Sequence, residues 1–169
     1  TIEGISRTAL DELALVSQQR ADNAIKNGYF DRSLIPVHKL DGSIALDHEE
    51  FPRPQTTLET LSGLEPSFAR MADIPLDESG TTFRKLVNQR FPDLDVQHFH
   101  HAGNSSGVVD GAGAVLMASA DYAKANGLKP RARIVAMCNM GDCPTLMLNA
   151  PVPAAKKVLA KAGMTLDDI

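Results

Sequence analysis

An amphipathic pattern near the start of the chain is the clearest signal of local structure. Behind Ser6, apolar and small residues recur at steps of three and four, and Gly28 interrupts the run. A serine in this place is a favoured helix cap, because its hydroxyl accepts a hydrogen bond from a free backbone N–H. The pattern therefore predicts an α-helix between Ser6 and Gly28. Its inward face comprises Leu10, Leu13, Ala14, Ser17, Ala21, Ala24 and Ile25.

A hairpin is predicted next along the chain. Residues 34–40 and 43–46 flank the dipeptide Asp41-Gly42. That dipeptide is favoured in two-residue hairpin turns, whose central positions both take positive φ. We therefore expect a short antiparallel pair joined by a tight turn.

Helix signals return after the hairpin but are weaker. The segment Thr56-Thr57-Leu58-Glu59 offers a capping box for a short helix that ends at Gly63. Between residues 69 and 97 the periodicity degrades, and only residues 83–87 favour one or two helical turns. This stretch is predicted to be an irregular excursion.

Strand-like and helix-like segments alternate in the last third of the chain. Residues 112–118 and 131–140 are apolar runs of strand length, and they predict two buried strands. Residues 120–126 predict a short helix and residues 151–162 a longer one with proline in its first turn. This alternation is typical of an α/β fold.

Length and composition indicate a globular protein and exclude several classes. Of the 169 residues, 43% are hydrophobic and 22% are charged, which is ordinary for a folded domain. The 17 basic and 21 acidic residues are scattered, so the net charge of −4 provides no basic surface for nucleic acid. No apolar run approaches the roughly 20 residues that span a bilayer. Two cysteines are too few for a disulfide framework, so we expect a reducing, cytoplasmic location.

The two ends of the chain resemble internal positions of a longer protein. Thr1 is not an initiator methionine, and the chain stops soon after Gly163, where a further strand is expected. We therefore expect a piece of a longer chain.

Three clusters of reactive side chains indicate packing or solvation rather than catalysis. The histidines have no carboxylate or cysteine placed in the sequence to complete a metal shell, so no metal site is predicted. The cysteines lack the cationic neighbour or helix N-terminus that would activate a thiol, and a solvated turn explains the acidic cluster. The clusters are His98, His100 and His101; Cys138 and Cys143; and Asp47, His48, Glu49 and Glu50.

A glycine-rich polar turn is the strongest candidate for ligand binding. Residues 103–107 lack bulk, so backbone N–H groups and the hydroxyls of Ser105 and Ser106 can approach a ligand closely. Arg53, between two prolines, is a candidate contact for a phosphate. The alternatives are an ordinary tight turn and a surface arginine without a partner. The common nucleotide-binding motifs and G-x-S-x-G are absent.

Several segments, in the same order along the chain, resemble the motifs of thiolases. Residues 103–112 resemble G-N-[AS]-S-G-x-x-D-G-A, and residues 17–21 resemble an S-Q-x-x-A helix. Residues 47–68 resemble the run D-E-x-x-R, T-x-x-x-L and L-x-P-x-F. Residues 141–144 and 150–154 resemble G-x-x-P and G-P-x-P-A. The resemblance covers nearly the whole chain.

The resemblance implies a part of the α/β thiolase fold, namely the loop domain and part of the layered α-β-α core. Residues 1–107 would form most of the loop domain. Residues 108–129 would supply the last strand and helix of the N-terminal domain, and residues 130–169 the start of the C-terminal domain.

The activity implied is that of an acyltransferase. Thiolases cleave or form 3-ketoacyl-CoA through a cysteine thioester, assisted by a histidine and a second cysteine. Neither Cys138 nor Cys143 lies in a catalytic motif, so the segment is expected to supply no catalytic residue and to be inactive alone. Coenzyme A would be a co-substrate, with no permanently bound cofactor. The alternatives are a non-catalytic thiolase-like protein that binds CoA or lipid, and a stand-alone binding domain.

The resemblance also implies specific contacts with coenzyme A. Arg53 would lie near the nucleotide end of CoA, with Thr60 beside it. Ser106 would hydrogen-bond the pantetheine arm, and Ala102 would line its tunnel.

On the acyl side, Phe68 and Met147 would border the pocket. Residues 69–101 form a longer stretch than in compact biosynthetic members and resemble degradative thiolases that accept bulky acyl groups, including steroid side chains. The resemblance further implies a homodimer or homotetramer.

Overall fold

Helices carry most of the regular structure. The computed structural model describes residues 1 to 169 and divides into two units, Thr1–Val109 and Asp110–Ile169. No helix combines the length and hydropathy that crossing a bilayer requires. The first unit contains α1 (Arg7–Lys26), β1 (Val37–His38), β2 (Ile44–Leu46), α2 (Leu58–Ser62), α3 (Phe83–Arg90) and a 3₁₀ turn (Ala102–Asn104). The second contains α4 (Ala120–Ala125), α5 (Pro151–Ala162) and a 3₁₀ turn (Leu166–Asp168).

The long first helix forms as predicted. The Ser6 hydroxyl accepts a hydrogen bond from the Ala9 N–H at 3.1 Å, which satisfies one of the free donors of the first turn. The helix ends at Lys26, and Gly28 follows with φ of 64°, a conformation that glycine adopts without steric cost. Helix α1 packs against α2 and against the 3₁₀ turn at Ala102–Asn104, so it forms the base of the first unit.

The predicted hairpin is present, but its turn differs from the prediction. Val37 pairs with Leu46 and His38 with Ile44 across an antiparallel pair that contains an irregularity. Only Gly42 takes positive φ, at 83°, whereas Asp41 does not. The Asp41 carboxylate instead accepts a hydrogen bond from the Ser43 N–H at 2.9 Å, so a side chain completes the turn.

The two shorter helices of the first unit begin at threonine caps. The capping box of α2 lies one residue later than predicted: Thr57 accepts a hydrogen bond from the Thr60 N–H at 3.1 Å, and Thr60 rather than Glu59 completes the box. Thr82 caps α3 in the same way. Within the irregular stretch, Arg84 holds Asp73 through two hydrogen bonds of 2.7 and 3.0 Å.

Both helices of the second unit form where they were predicted. The Ser119 hydroxyl caps α4 by accepting the Tyr122 N–H at 3.2 Å. Helix α5 begins with proline in its first turn and ends at Ala162, and Gly163 follows with φ of 67°. Local sequence signals therefore predict the bounds of both helices.

The two strands expected in residues 108–169 do not form, and these predictions were wrong. Residues 112–118 and 131–140 have no strand partner, since the only sheet is the pair β1 and β2. Their side chains are exposed rather than buried, as Leu116 at 88% and Met137 at 72% illustrate. A strand is stabilised by hydrogen bonds to a neighbour, and no other segment of the chain provides one here.

Candidate functional site

An open groove runs along α1 in the first unit. Its cavity volume is about 350 Å³. One wall is an apolar and small-residue face of α1, and the other is the loop Gly103–Ser106 together with Phe51 and Pro52. The groove therefore combines apolar walls with hydroxyl and amide groups, which suits an extended ligand that carries amides.

Glycine is required in the loop because other groups approach it closely. A Cβ atom at Gly103 would lie 2.6 Å from Leu61 Cδ2 and 2.9 Å from Leu64 Cδ1. A Cβ atom at Gly107 would collide with the ring of Phe51. The loop thus packs directly on α2 and on the segment that carries Arg53.

Arg53 directly follows Phe51 and Pro52 of the groove wall, and its charge is unpaired. Its backbone N–H donates to Gln18 Oε1 at 2.7 Å, which ties the segment to α1. Its guanidinium lies 5.7 Å from the ring centroid of Phe51, and it takes part in no ion pair. An exposed arginine held over an aromatic ring is a ready contact for an anionic group.

The serine hydroxyls of the loop line the same groove. Ser105 and Ser106 are exposed, and neither hydroxyl forms a hydrogen bond within the chain. Ala102, at the start of the 3₁₀ turn, is exposed as well. The structure therefore brings Ser106 and the segment of Arg53 to one groove.

The other predicted contacts lie elsewhere in the structure. The Thr60 hydroxyl donates to the Thr57 carbonyl at 2.9 Å and accepts the Thr57 N–H at 3.1 Å, so its first role is to cap α2. Phe68 is 58% exposed and is not part of the groove wall. Met147 belongs to the second unit and has φ of 50°, as part of a left-handed pair with Leu148.

A buried polar network beneath the loop was missed by the sequence analysis. Asp11 and His101 are 3% and 1% exposed, and they meet at 2.9 Å between Oδ1 and Nε2. Asp11 Oδ2 also accepts Arg7 Nε at 2.8 Å, and Asp11 Oδ1 accepts Asn104 Nδ2 at 2.9 Å. The available signal was the placement of Asp11 next to Leu10 on the inward side of α1, where a carboxylate needs partners.

The pKa of Asp11 reflects two opposing effects. Burial by itself raises the pKa, but hydrogen bonds from Arg7, Asn104 and His101 outweigh it and hold the pKa below the ordinary value of 3.8. Asp11 is therefore ionised at neutral pH. Because the pKa of Asp11 is lowered in the folded state, the ionised carboxylate stabilises the fold above pH 3.8. This stabilisation is lost as the pH falls through the lower, folded-state pKa.

The remaining reactive side chains do not assemble into a second site. No three His, Cys, Asp or Glu side chains come together as a potential metal cluster. The Cys138 thiol donates to the Ala154 carbonyl at 3.3 Å, and no disulfide forms. Asp47 and His48 form an exposed pair at 2.8 Å, which raises the pKa of His48.

Comparisons with known proteins agree on one family. The family described as thiolase, N-terminal domain, matches residues 2–74. The chain is 41% identical over 172 residues to the 3-ketoacyl-CoA thiolase of Pseudoalteromonas translucida, covering 100% of this chain and 38% of that protein. It is 38% identical over 165 residues to the beta-ketoadipyl-CoA thiolase of Pseudomonas aeruginosa, covering 96% and 35%.

A solved structure extends the similarity to the fold. The crystal structure of human mitochondrial 3-ketoacyl-CoA thiolase matches with a TM-score of 0.72 and 37% identity, covering 99% of this chain and 36% of that one. The present chain thus spans well under half the length of the relatives that it matches.

Proposed function

Because the chain belongs to the thiolase family and carries part of its α/β fold, we propose that the intact protein is an acyl-CoA C-acyltransferase. It cleaves a 3-ketoacyl-CoA with CoA, or runs the reverse condensation, through a cysteine acyl-enzyme. The present residues bind coenzyme A as a co-substrate and contribute no catalytic group. The catalytic cysteine and histidine belong to other parts of the intact protein.

The observation that carries this proposal is the groove with its unpaired polar groups. The Ser106 hydroxyl has no partner within the chain, and the Arg53 guanidinium has no ion pair. A pantetheine arm supplies amides for such a hydroxyl, and the phosphorylated nucleotide of CoA supplies anions for such a cation. Ala102 adds a small wall beside the arm. Thr60 is proposed as a further contact near the nucleotide end, where CoA would replace one of the two hydrogen bonds that its hydroxyl accepts from Thr57.

The test is a thiolysis assay on the intact protein with matched variants. Ser106→Ala is expected to weaken CoA binding by about 1 kcal/mol, the contribution of a neutral hydrogen bond. Arg53→Ala is expected to weaken it by about 2 kcal/mol, because the lost contact is charge-assisted. Both effects are measured as Kd for CoA by calorimetry and as KM for CoA during cleavage.

A matched control separates the loss of a binding contact from the loss of a surface arginine. Arg90 lies 5.5 Å from the ring centroid of Phe91, almost the geometry of Arg53 over Phe51, but outside the groove. Arg90→Ala is therefore expected to leave the Kd for CoA unchanged. Equal losses in the Arg53 and Arg90 variants would contradict the assignment of Arg53.

The acyl substrate is proposed to be bulky. The support is the long stretch 69–101, which includes α3 and its ion pair, together with the exposed ring of Phe68 at its start. Phe68 and Met147 are proposed to border the acyl pocket, and the assembly is proposed to be a cytoplasmic homodimer or homotetramer. Cleavage of acetoacetyl-CoA in clear preference to long-chain or steroid side-chain 3-ketoacyl-CoA would remove the substrate proposal.

A different outcome of the assay would favour the non-catalytic alternative. A protein that binds CoA but cleaves no 3-ketoacyl-CoA, and lacks a reactive cysteine that can be acylated, would be a thiolase-like CoA-binding protein. Mass spectrometry of the protein after incubation with acyl-CoA detects the thioester, so it distinguishes an enzyme from a binding protein without turnover.

A further inference from the structure

The least exposed side chain of the molecule lies directly beneath the proposed CoA-binding loop. His101 is 1% exposed, and its ionised partner Asp11 is 3% exposed. Neither residue lines the groove, so neither contacts a ligand there. Burying an ionised carboxylate and an imidazole together is costly unless every polar atom is hydrogen-bonded.

The hydrogen bonds of His101 determine where its ring proton lies. His101 Nδ1 accepts the backbone N–H of Gly103 at 3.0 Å. An amide N–H always donates, so the hydrogen of the neutral ring must be on Nε2, from which it is donated to Asp11 Oδ1 at 2.9 Å. The ring thus connects a carboxylate of α1 to the backbone of the loop.

Asn104 makes a second connection between the same two elements. Its Nδ2 donates to Asp11 Oδ1 at 2.9 Å and to the Phe99 carbonyl at 3.2 Å. Its Oδ1 accepts the His101 N–H at 2.9 Å. Through His101 and Asn104 together, Asp11 fixes the backbone from residue 99 to residue 104.

Arg7 completes the network by joining it to α2. Its Nε donates to Asp11, and its terminal nitrogen donates to the carbonyls of Leu61 and Leu64 at 2.8 and 2.9 Å. Since Leu61 and Leu64 are also the side chains that Gly103 faces, the loop is held from both sides. The loop position is therefore determined by α1 and α2 jointly.

We propose that Asp11 and His101 are positioning residues for CoA binding, which hold the Gly103–Ser106 loop in the conformation that presents the Ser106 hydroxyl to the pantetheine arm. The inference rests on the proposed function of the loop. It assigns to the pair an effect on the affinity for CoA and not on the chemical step, because neither residue reaches the groove.

Two amide variants of His101 in the intact protein test the connection atom by atom. In His101→Asn, the amide oxygen takes the place of Nδ1 and keeps the bond to Gly103, whereas the bond to Asp11 is lost. In His101→Gln, the amide takes the place of Nε2 and keeps the bond to Asp11, whereas the Gly103 N–H loses its acceptor. The pair separates the loop contact from the helix contact, with side chains that differ by one methylene group. Since His101→Asn leaves the larger cavity, a greater loss of affinity in His101→Gln cannot come from lost volume.

The expected result is a difference in affinity between the two variants. Loss of the Gly103 contact in His101→Gln is expected to raise the Kd and the KM for CoA about fivefold, with kcat within about twofold of the wild type. His101→Asn is expected to keep a KM for CoA within about twofold of the wild type, because Asn104 still joins the loop to Asp11. Asp11→Asn is expected to raise the KM for CoA more than either. It removes the negative charge and replaces one of the two acceptor oxygens by an NH₂ donor, which then faces either Arg7 or the donors of His101 and Asn104.

Asp22→Asn is the matched control, because Asp22 forms an i,i+4 pair with Lys26 on the same helix at 2.7 Å but outside the network. It is expected to leave both constants unchanged. If Asp11→Asn does not fold, the two His101 variants still decide the question.

The outcomes that overturn the inference are distinct from those that overturn the proposed function. Equal Kd for CoA in the wild type and both His101 variants overturns the inference alone. A lower kcat with unchanged KM for CoA also overturns it. A wild-type protein that neither binds CoA nor cleaves 3-ketoacyl-CoA overturns the proposed function and the inference with it.

Discussion

The two units of the chain reach their structures by different means. In the first unit, Thr1–Val109, a buried ionic network joins α1, α2 and a loop that are far apart in sequence. In the second unit, Asp110–Ile169, capped helices are separated by apolar stretches with no strand partner, and Leu116 is 88% exposed. The contrast indicates that caps and periodicity predict where helices begin and end, whereas this loop and the two apolar stretches depend on partners elsewhere in the chain.

The largest expected effect comes from removing the centre of the network in the first unit. Asp11→Ala leaves the Arg7 charge and the polar groups of His101 and Asn104 without their shared partner in a buried place. We expect a loss of about 3 to 5 kcal/mol in the free energy of unfolding of the intact protein, as for other broken buried ion pairs. Urea unfolding at pH 7 measures it.

The control for this prediction lies on the same helix. Asp22→Ala breaks the exposed pair with Lys26, and an exposed pair of this kind contributes about 0.3 to 0.5 kcal/mol. Equal losses of unfolding free energy in Asp11→Ala and Asp22→Ala would show that the buried network stabilises the protein no more than an exposed ion pair does. Below pH 3.8 the difference between the wild type and Asp11→Ala is expected to shrink, since Asp11 becomes protonated as the pH falls through its lowered pKa.

Two glycine-to-alanine variants, one in each unit, compare how tightly the two units are packed. In the first unit, Gly103→Ala places a Cβ 2.6 Å from Leu61 Cδ2, a buried atom with little room to move, and is expected to cost about 1 to 3 kcal/mol. In the second unit, a Cβ at Gly113 meets nothing within 4 Å. Gly113→Ala is therefore expected to be neutral or to stabilise by up to about 1 kcal/mol, because it restricts the unfolded chain.

Thermal unfolding of the two glycine variants measures this difference. A stable Gly103→Ala protein would mean that the loop moves away from α2 at little cost. The same variant is expected to weaken CoA binding, because a shifted loop displaces Ser106.

The helices were predictable from local sequence, whereas the buried network and the missing strands were not. Ser6 and Ser119 are recognisable caps because each acts within its own first turn. The partnership of Asp11 with His101 spans 90 positions, and no local pattern encodes such a pairing. The same reason explains the error at residues 112–118, because an apolar run shows the capacity to form a strand but not the presence of a neighbour.

A smaller effect is expected from a strained turn in the second unit. Leu148 has φ of 57° and is 86% exposed, so it has little burial to offset a left-handed conformation. Leu148→Gly is expected to stabilise by about 0.5 kcal/mol, the relief of strain less the added entropy of the unfolded chain. Leu148→Val is expected to destabilise by about 1 kcal/mol, because a branched Cβ tolerates this conformation poorly. A Gly variant less stable than the Val variant would contradict this account.

The smallest effect is expected at an exposed pair of the first unit, which tests whether burial or charge pairing sets that unit apart. The hydrogen bond that His48 donates to the Asp47 carboxylate raises the pKa of His48 above 6.5, and the charge of Glu50 adds to the shift. Because the folded-state pKa of His48 is raised, any stabilisation of the fold by this pair is present below pH 6.5. It disappears as the pH rises through the raised pKa. Both side chains are exposed, so Asp47→Asn is expected to lower the His48 titration midpoint in NMR without a measurable change in Tm. A clear drop in the Tm of Asp47→Asn at pH 6 would show that exposed pairs also stabilise the first unit. The difference between the two units would then not depend on the buried network alone.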